Sequence, residues 1–121
     1  MPFLPLAPVA ACLIGLCPAP HELPSTLQLS AHEVTGRLSA VTLTCDPAGG
    51  THPARDAACR VLSRADGDFG RISPRRQPCT LNYSPVDVTA TGEWRGEPVA
   101  YRATFPNLCA ADAETDGVFK F

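Results

Sequence analysis

The sequence has few aromatic residues and little excess charge. Aromatic residues make up 7% of the 121 residues, and the formal net charge is −2 at pH 7. A chain of this length has room for one small domain with a modest core, and none for a kinase, a Rossmann enzyme or a barrel. It also lacks the basic stripe that phosphate binding requires, so we expect no nucleic-acid partner.

Long uninterrupted apolar runs are also missing, because 13 Pro and 9 Gly divide the chain into short elements. Residues 1–20 carry no charged side chain and are mostly apolar. Their prolines argue against a membrane span, since a span needs about 20 continuous apolar residues. We therefore interpret residues 1–20 as an export signal and residues 21–121 as one secreted domain with no membrane contact in its mature form. Lipid anchoring at Cys12, within a sequence similar to a lipoprotein box, is the alternative.

Cysteine is the most prominent residue type, with 6 in so short a chain. Cys12 and Cys17 fall in the predicted signal. An even set is left in the domain, which in an exported protein predicts two disulfides among Cys45, Cys59, Cys79 and Cys109. Spacing alone does not choose the pairing. No Cys-x-x-Cys pair occurs and the histidines are scattered, so we expect no metal and no cofactor.

Alternation of apolar and polar residues predicts strands at 27–30, 40–44, 86–91, 99–105 and 118–121. The third and fourth would form a hairpin across residues 92–96, with Trp94 at its tip as a dimer contact or a cap. Pro53 suits a first helical position, and apolar residues from Ala54 to Leu62 recur at helical spacing. A second short helix is predicted at 110–113.

Several segments together resemble one known family. They are VTLTCDPAGGTHP at 41–53, AAC at 57–59, GEW at 92–94 and GVFKF at 117–121, and they are similar to the Streptomyces subtilisin inhibitors over about residues 23–121. This resemblance implies an α+β fold, in which an antiparallel five-stranded sheet carries two helices. It also implies the disulfides Cys45–Cys59 and Cys79–Cys109 and a homodimer formed sheet to sheet.

The resemblance also locates a reactive bond. In the family this bond lies in the pattern Cys-Pro-x-x-Tyr-Asp-Pro, which here reads CTLNYSP at 79–85, so the bond would be Leu81–Asn82. The protease-contacting loop would add Gln77, Pro78, Cys79, Thr80, Tyr83 and Ser84. Thr80 and Ser84 replace the family's Pro and Asp, and we expect these changes to loosen the loop.

The function implied is that of a secreted, substrate-like inhibitor of serine proteases and not of an enzyme. Leu81 is uncharged and of medium size, which suits the primary pockets of subtilisin-like and chymotrypsin-like proteases. Arg75 and Arg76, just upstream, would form a solvated basic turn or meet acidic groups on the protease. The alternative function is an extracellular binding or structural module that kept the scaffold and lost inhibition. The residues that favour this alternative are Thr80 and Ser84.

Overall fold

A computed structural model describes residues 23–121; the predicted export segment, residues 1–20, and the proposed lipid site at Cys12 lie outside them. Five strands form one antiparallel sheet in the order β3-β2-β1-β4-β5. The strands are β1 Ser25–Glu33, β2 Leu38–Cys45, β3 Gly49–Gly50, β4 Val86–Trp94 and β5 Glu97–Phe105. Helices α1 (Arg55–Arg64) and α2 (Leu108–Glu114) and a short 3₁₀ turn (Phe69–Arg71) complete the fold. The α+β class with a five-stranded antiparallel sheet is confirmed.

One face of the sheet forms the core, as the alternation in the sequence predicts. On β1, the side chains of Leu27, Leu29 and Ala31 are buried, while Thr26 and Gln28 between them are exposed. Successive side chains of a strand point to opposite faces, so a period of two places every second residue against the helices. The hydrophobic core therefore lies between the sheet and α1, with Leu43, Leu62 and Val88 fully buried in it.

The predicted hairpin is formed by β4 and β5, and its turn is tighter than the sequence suggested. Trp94 pairs with Glu97, which leaves Arg95 and Gly96 as the two turn residues. Both have positive φ, 48° and 87°, as two-residue hairpin turns require. Trp94 is therefore the last residue of β4 and is only 3% exposed. Neither predicted role holds, because the indole is buried against Gly67 instead of lying at the tip.

Helix α1 lies where the apolar spacing predicts it, but it begins at Arg55 and not at Pro53. The Ala54 carbonyl accepts the hydrogen bond from Ala58 N, at 2.9 Å. The Ala54 amide instead donates to Nδ1 of His52, also at 2.9 Å. His52 thus binds the backbone amide of the residue just before the first helical residue. Its Nε2 donates to the Val118 carbonyl at 2.8 Å. The disulfide Cys45–Cys59 joins α1 to the end of β2.

The prediction of a final strand at 118–121 is wrong. Residues 117–120 form tight turns, in which Val118 N donates to Thr115 O and Lys120 N donates to Gly117 O. Val118 and Phe119 are buried, so their apolar character comes from packing in the core and not from pairing in the sheet. The fifth strand is instead β3, two glycines paired with Leu43 and Thr44.

Within residues 23–121, neither helix has the length and apolar character that crossing a bilayer would require.

Candidate functional site

Residues 77–84, called here the exposed loop, lie between the 3₁₀ turn and β4 in a segment without helix or strand. Leu81 at its apex is 99% exposed and Tyr83 is 78% exposed. Pro78, Thr80 and Asn82 are also exposed, while Gln77, Cys79 and Ser84 are half-buried. No residue of the loop carries a charge. The loop therefore presents an uncharged strip with one fully solvated leucine.

The segment leading into the loop is fastened to α2. The disulfide Cys79–Cys109 joins the loop to the first turn of that helix, with 5.7 Å between the Cα atoms. Upstream, Arg75 N donates to the carbonyl of Ala113 at 2.8 Å. The loop is therefore held on this side by one covalent bond and one backbone hydrogen bond.

The side chain of Arg75 adds a polar brace. Its guanidinium donates to Asp112 Oδ1 at 2.5 Å and to Asp116 Oδ1 at 3.3 Å. The hydrogen bond to Asp112, assisted by both negative charges, raises the pKa of Arg75 further above its ordinary value. Arg75 Nε also donates to Gln77 Oε1 at 2.8 Å. Arg75 is thus an internal support of the loop, whereas Arg76 is exposed.

The segment leaving the loop is held by backbone hydrogen bonds. Ser84 N donates to the Pro106 carbonyl at 2.8 Å, and the Pro85 carbonyl accepts from Val34 N at 3.0 Å. These bonds do not depend on the identity of the side chain at position 84. Ser84 therefore keeps a fixed backbone despite its departure from the family's Asp.

Asn107 connects the two sides of the Leu81–Asn82 bond. Its side chain is buried, and Oδ1 accepts from Ala110 N at 2.8 Å as the N-cap of α2. Its Nδ2 donates to the carbonyl of Thr80 at 3.3 Å and to that of Asn82 at 2.8 Å. The helix cap orients one amide so that it binds the carbonyls on either side of Leu81. Its position before the predicted helix could have indicated the cap, since Asn is a preferred N-cap residue, but not the contacts to the loop.

Thr80 makes a second connection across Leu81. Its hydroxyl donates to Oδ1 of Asn82. Proline fixes φ and thereby restricts the backbone, and a threonine at position 80 lacks that restriction. The side-chain hydrogen bond supplies a different restraint at the same place.

Among residues 23–121, no cluster of three or more His, Cys, Asp or Glu side chains is arranged to hold a metal ion. His52 is hydrogen-bonded in the core, and Cys59 is in a disulfide.

These features define a small α+β domain, braced by two disulfides, that presents a single uncharged peptide segment in a fixed conformation. Residues 23–107 match the model of a family described as subtilisin inhibitor-like. The chain belongs to this family, which confirms the resemblance found in the sequence.

Individual relatives agree with this assignment. The chain is 46% identical over 111 residues to the subtilisin inhibitor-like protein 2 of Streptomyces rochei, covering 86% of this chain and 98% of that protein. It is 40% identical over 124 residues to a subtilase-type protease inhibitor of Streptomyces coelicolor, covering 97% of this chain and 86% of that protein.

A solved structure has the same fold. It is that of sermetstatin from Streptomyces caespitosus, crystallised in complex with subtilisin from Bacillus licheniformis. The sequence identity is 35% and the TM-score is 0.65, and the match covers 81% of this chain and 99% of that chain.

Proposed function

We propose that this protein inhibits subtilisin-like serine proteases by offering the exposed loop as a substrate, with Leu81–Asn82 as the reactive bond. The observation that carries the proposal is the fully solvated Leu81 side chain, flanked by two carbonyls that Asn107 holds in place. Relatives named as protease inhibitors and the subtilisin complex of sermetstatin support the same function.

Tight binding follows from the way the loop is held. A serine protease binds its substrate as an extended strand, through main-chain hydrogen bonds and pockets for alternate side chains. A flexible peptide loses conformational entropy on binding, whereas a loop already fixed in shape loses little. Here the disulfide Cys79–Cys109 and the bonds of Asn107 restrict the loop before the protease arrives.

The same contacts explain why cleavage would not release the inhibitor. When the protease serine attacks the Leu81 carbonyl, the peptide bond breaks and the new amino group is that of Asn82. The Asn82 carbonyl is held by Asn107, and the next anchor is Ser84 N on the Pro106 carbonyl. The amine therefore stays beside the acyl carbon, and re-formation of the bond competes with hydrolysis. The triad and the oxyanion hole are those of the protease.

Specificity would follow from the side chain at position 81. Leucine fills a hydrophobic pocket and carries no cation for the acidic pocket of a trypsin-like protease. We therefore include chymotrypsin-like proteases among the targets and expect weak inhibition of trypsin.

The proposal extends to location and assembly. We propose that residues 1–20 direct export, that residues 21–121 act outside the cell, and that two copies associate through their sheets. The sheet face opposite the helices is the surface through which we expect them to associate, and its neighbouring polar side chains bond one another: Ser30 with Thr89 at 2.5 Å, and Thr42 with Gln28 at 2.9 Å. Equilibrium sedimentation would show a dimer mass, and a monomer at micromolar concentration would contradict the pairing.

The test of inhibition is a titration of subtilisin with the purified protein. We expect stoichiometric, slowly reversible loss of activity and a cut mapped by mass spectrometry to Leu81–Asn82. No inhibition at micromolar protein would favour the alternative, a binding module without inhibitory activity, and a cut elsewhere would move the site.

A lysine at position 81 tests the assignment of the bond. Leu81→Lys should raise affinity for trypsin by at least about tenfold, because the lysine reaches the pocket carboxylate. Tyr83→Lys is the matched control, because it places the same charge two residues further along the loop. If the two variants gained trypsin inhibition equally, Leu81 would not be the residue that enters the primary pocket.

A further inference from the structure

Four of the five large apolar side chains that residues 23–121 leave exposed lie in the loop or beside it. These four are Val34, Leu81, Tyr83 and Leu108, and the fifth is Leu38. Leu81 and Tyr83 belong to the loop itself, and Leu108 precedes the cysteine that anchors it. Val34 comes from a distant part of the sequence, the turn between β1 and β2, so its presence here is not explained by the loop.

The β1–β2 turn is held in one conformation. Gly36 N donates to the Glu33 carbonyl and Glu33 N donates to the Arg37 carbonyl, both at 2.8 Å. Gly36 has a φ of 99°, which glycine adopts without strain. The Arg37 guanidinium lies 3.8 Å from the Glu33 carboxylate. Val34 is therefore displayed by a rigid turn, with 66% of its surface in solvent.

The turn is attached to the side of the loop that follows the reactive bond. Val34 N donates to the carbonyl of Pro85 at 3.0 Å. Val34 and Tyr83 also border a common cleft of about 370 Å³, together with Pro85. Tyr83 is the second residue after Leu81, so the Val34 side chain lies next to the leaving-group half of the loop.

A protease in contact with the loop needs more surface than the loop provides. Protease–inhibitor complexes bury about 800 Å² on each partner. In an extended segment, alternate side chains point away from the partner, so the loop supplies only part of this area. An apolar residue on a rigid support beside Tyr83 would extend the contact continuously.

We propose that the β1–β2 turn, with Val34 at its tip, is a second contact for the protease that binds the loop. The surface it meets is apolar and borders the cleft that receives the residues after the scissile bond. This inference rests on the proposed function and adds a specificity element far from Leu81 in the sequence.

The test compares two substitutions in the β1–β2 hairpin, Val34→Ser and Leu38→Ser. Val34→Ser should raise the inhibition constant for subtilisin about 3- to 10-fold, mostly through faster dissociation. Leu38→Ser is the matched control for the lost apolar surface, because Leu38 is also 66% exposed but does not border the cleft beside Tyr83. Leu38 pairs with His32 on the sheet face proposed for association of two copies, so the sedimentation mass of both variants is compared at the assay concentration. It should change the inhibition constant less than about twofold.

A second measurement uses the unaltered protein. In NMR spectra, the methyl signals of Val34 should shift when subtilisin is added, while those of Leu38 should not. This readout decides the matter even if Val34→Ser unfolds.

The outcomes separate this inference from the proposed function. If the unaltered protein fails to inhibit subtilisin, the proposed function itself fails. If it inhibits, but Val34→Ser matches Leu38→Ser and the Val34 methyl signals do not move, only the second contact is refuted. A change of oligomeric state in Val34→Ser alone would also refute it, because the turn would then contact a second copy of the chain.

Discussion

Replacing Asn107 with alanine should weaken inhibition much more than the loss of one surface contact would. The Asn107 side chain makes three hydrogen bonds: one at 2.8 Å from Ala110 N and two to the carbonyls of Thr80 and Asn82, at 3.3 and 2.8 Å. It is only 6% exposed, so water cannot easily replace the lost amide.

The magnitude follows from these bonds. Losing the N-cap costs about 1 kcal/mol of stability. Each bond to the loop contributes about 0.5–1.5 kcal/mol, so the loop loses roughly 1–3 kcal/mol of restraint. At about 1.4 kcal/mol per factor of ten, the inhibition constant should rise roughly 5- to 140-fold.

The assay measures two quantities on each variant: the inhibition constant for subtilisin and the rate at which the Leu81–Asn82 bond is cut. Asn107→Ala should be cut faster, because the new amino group at Asn82 is no longer held beside the acyl carbon. Urea unfolding provides the stability of the same samples.

Asn107→Asp separates the cap from the loop. An aspartate can still accept from Ala110 N and cap the helix, but it has no donor for the two carbonyls of the loop. We expect Asn107→Asp to lose less stability than Asn107→Ala and to inhibit no better. If both variants kept the inhibition constant and cutting rate of the unaltered protein, Asn107 would be only a helix cap and the reasoning would be refuted.

Two further predictions concern the scaffold. Gly67 has a φ of 75° and a Cβ there would lie 2.4 Å from Cγ of Trp94, so Gly67→Ala should lower the free energy of unfolding by about 2–4 kcal/mol in urea denaturation. Gly36→Ala, where φ is 99° but no atom lies within 4 Å of the added Cβ, should lose only about 1–2 kcal/mol; equal losses would show that the indole contact is unimportant. Burial, assisted by the charge of Glu114, raises the pKa of Tyr101, which favours the neutral phenol in the folded state. The unfolded chain therefore ionises first, above about pH 10, and stability should fall as the pH rises through this range. Tyr101→Phe should flatten this part of the stability curve, and an unchanged alkaline slope would exclude Tyr101 as its cause.

Local patterns in the sequence were sufficient for most of the sheet. The alternation at 27–30, 40–44, 86–91 and 99–105 predicts β1, β2, β4 and β5 because one face of each strand is less exposed than the other. A strand of this kind carries its own periodicity, whatever its partners are.

The prediction failed where apolar residues are buried without belonging to a strand, and where residues without side chains pair in the sheet. Residues 118–121 alternate like a strand, yet Phe119 is buried beside Phe69 and Phe121 while the backbone forms turns. Gly49 and Gly50 have no side chains and thus no pattern, yet they form the fifth strand. Which backbone completes a sheet depends on where the neighbouring strand ends, and a local pattern does not contain that information.

The candidate site divides in the same way. The sequence by itself determined the family resemblance and the presence of an uncharged leucine two residues after Cys79, since these depend on residue identity and order. Only the tertiary structure decided what holds and surrounds that leucine. Asn107 binds carbonyls 27 and 25 residues earlier in the chain, and Val34 N binds the Pro85 carbonyl beside the pairing of β1 with β4. Such contacts arise when packing of the core brings distant segments together, so their physical cause is the fold as a whole.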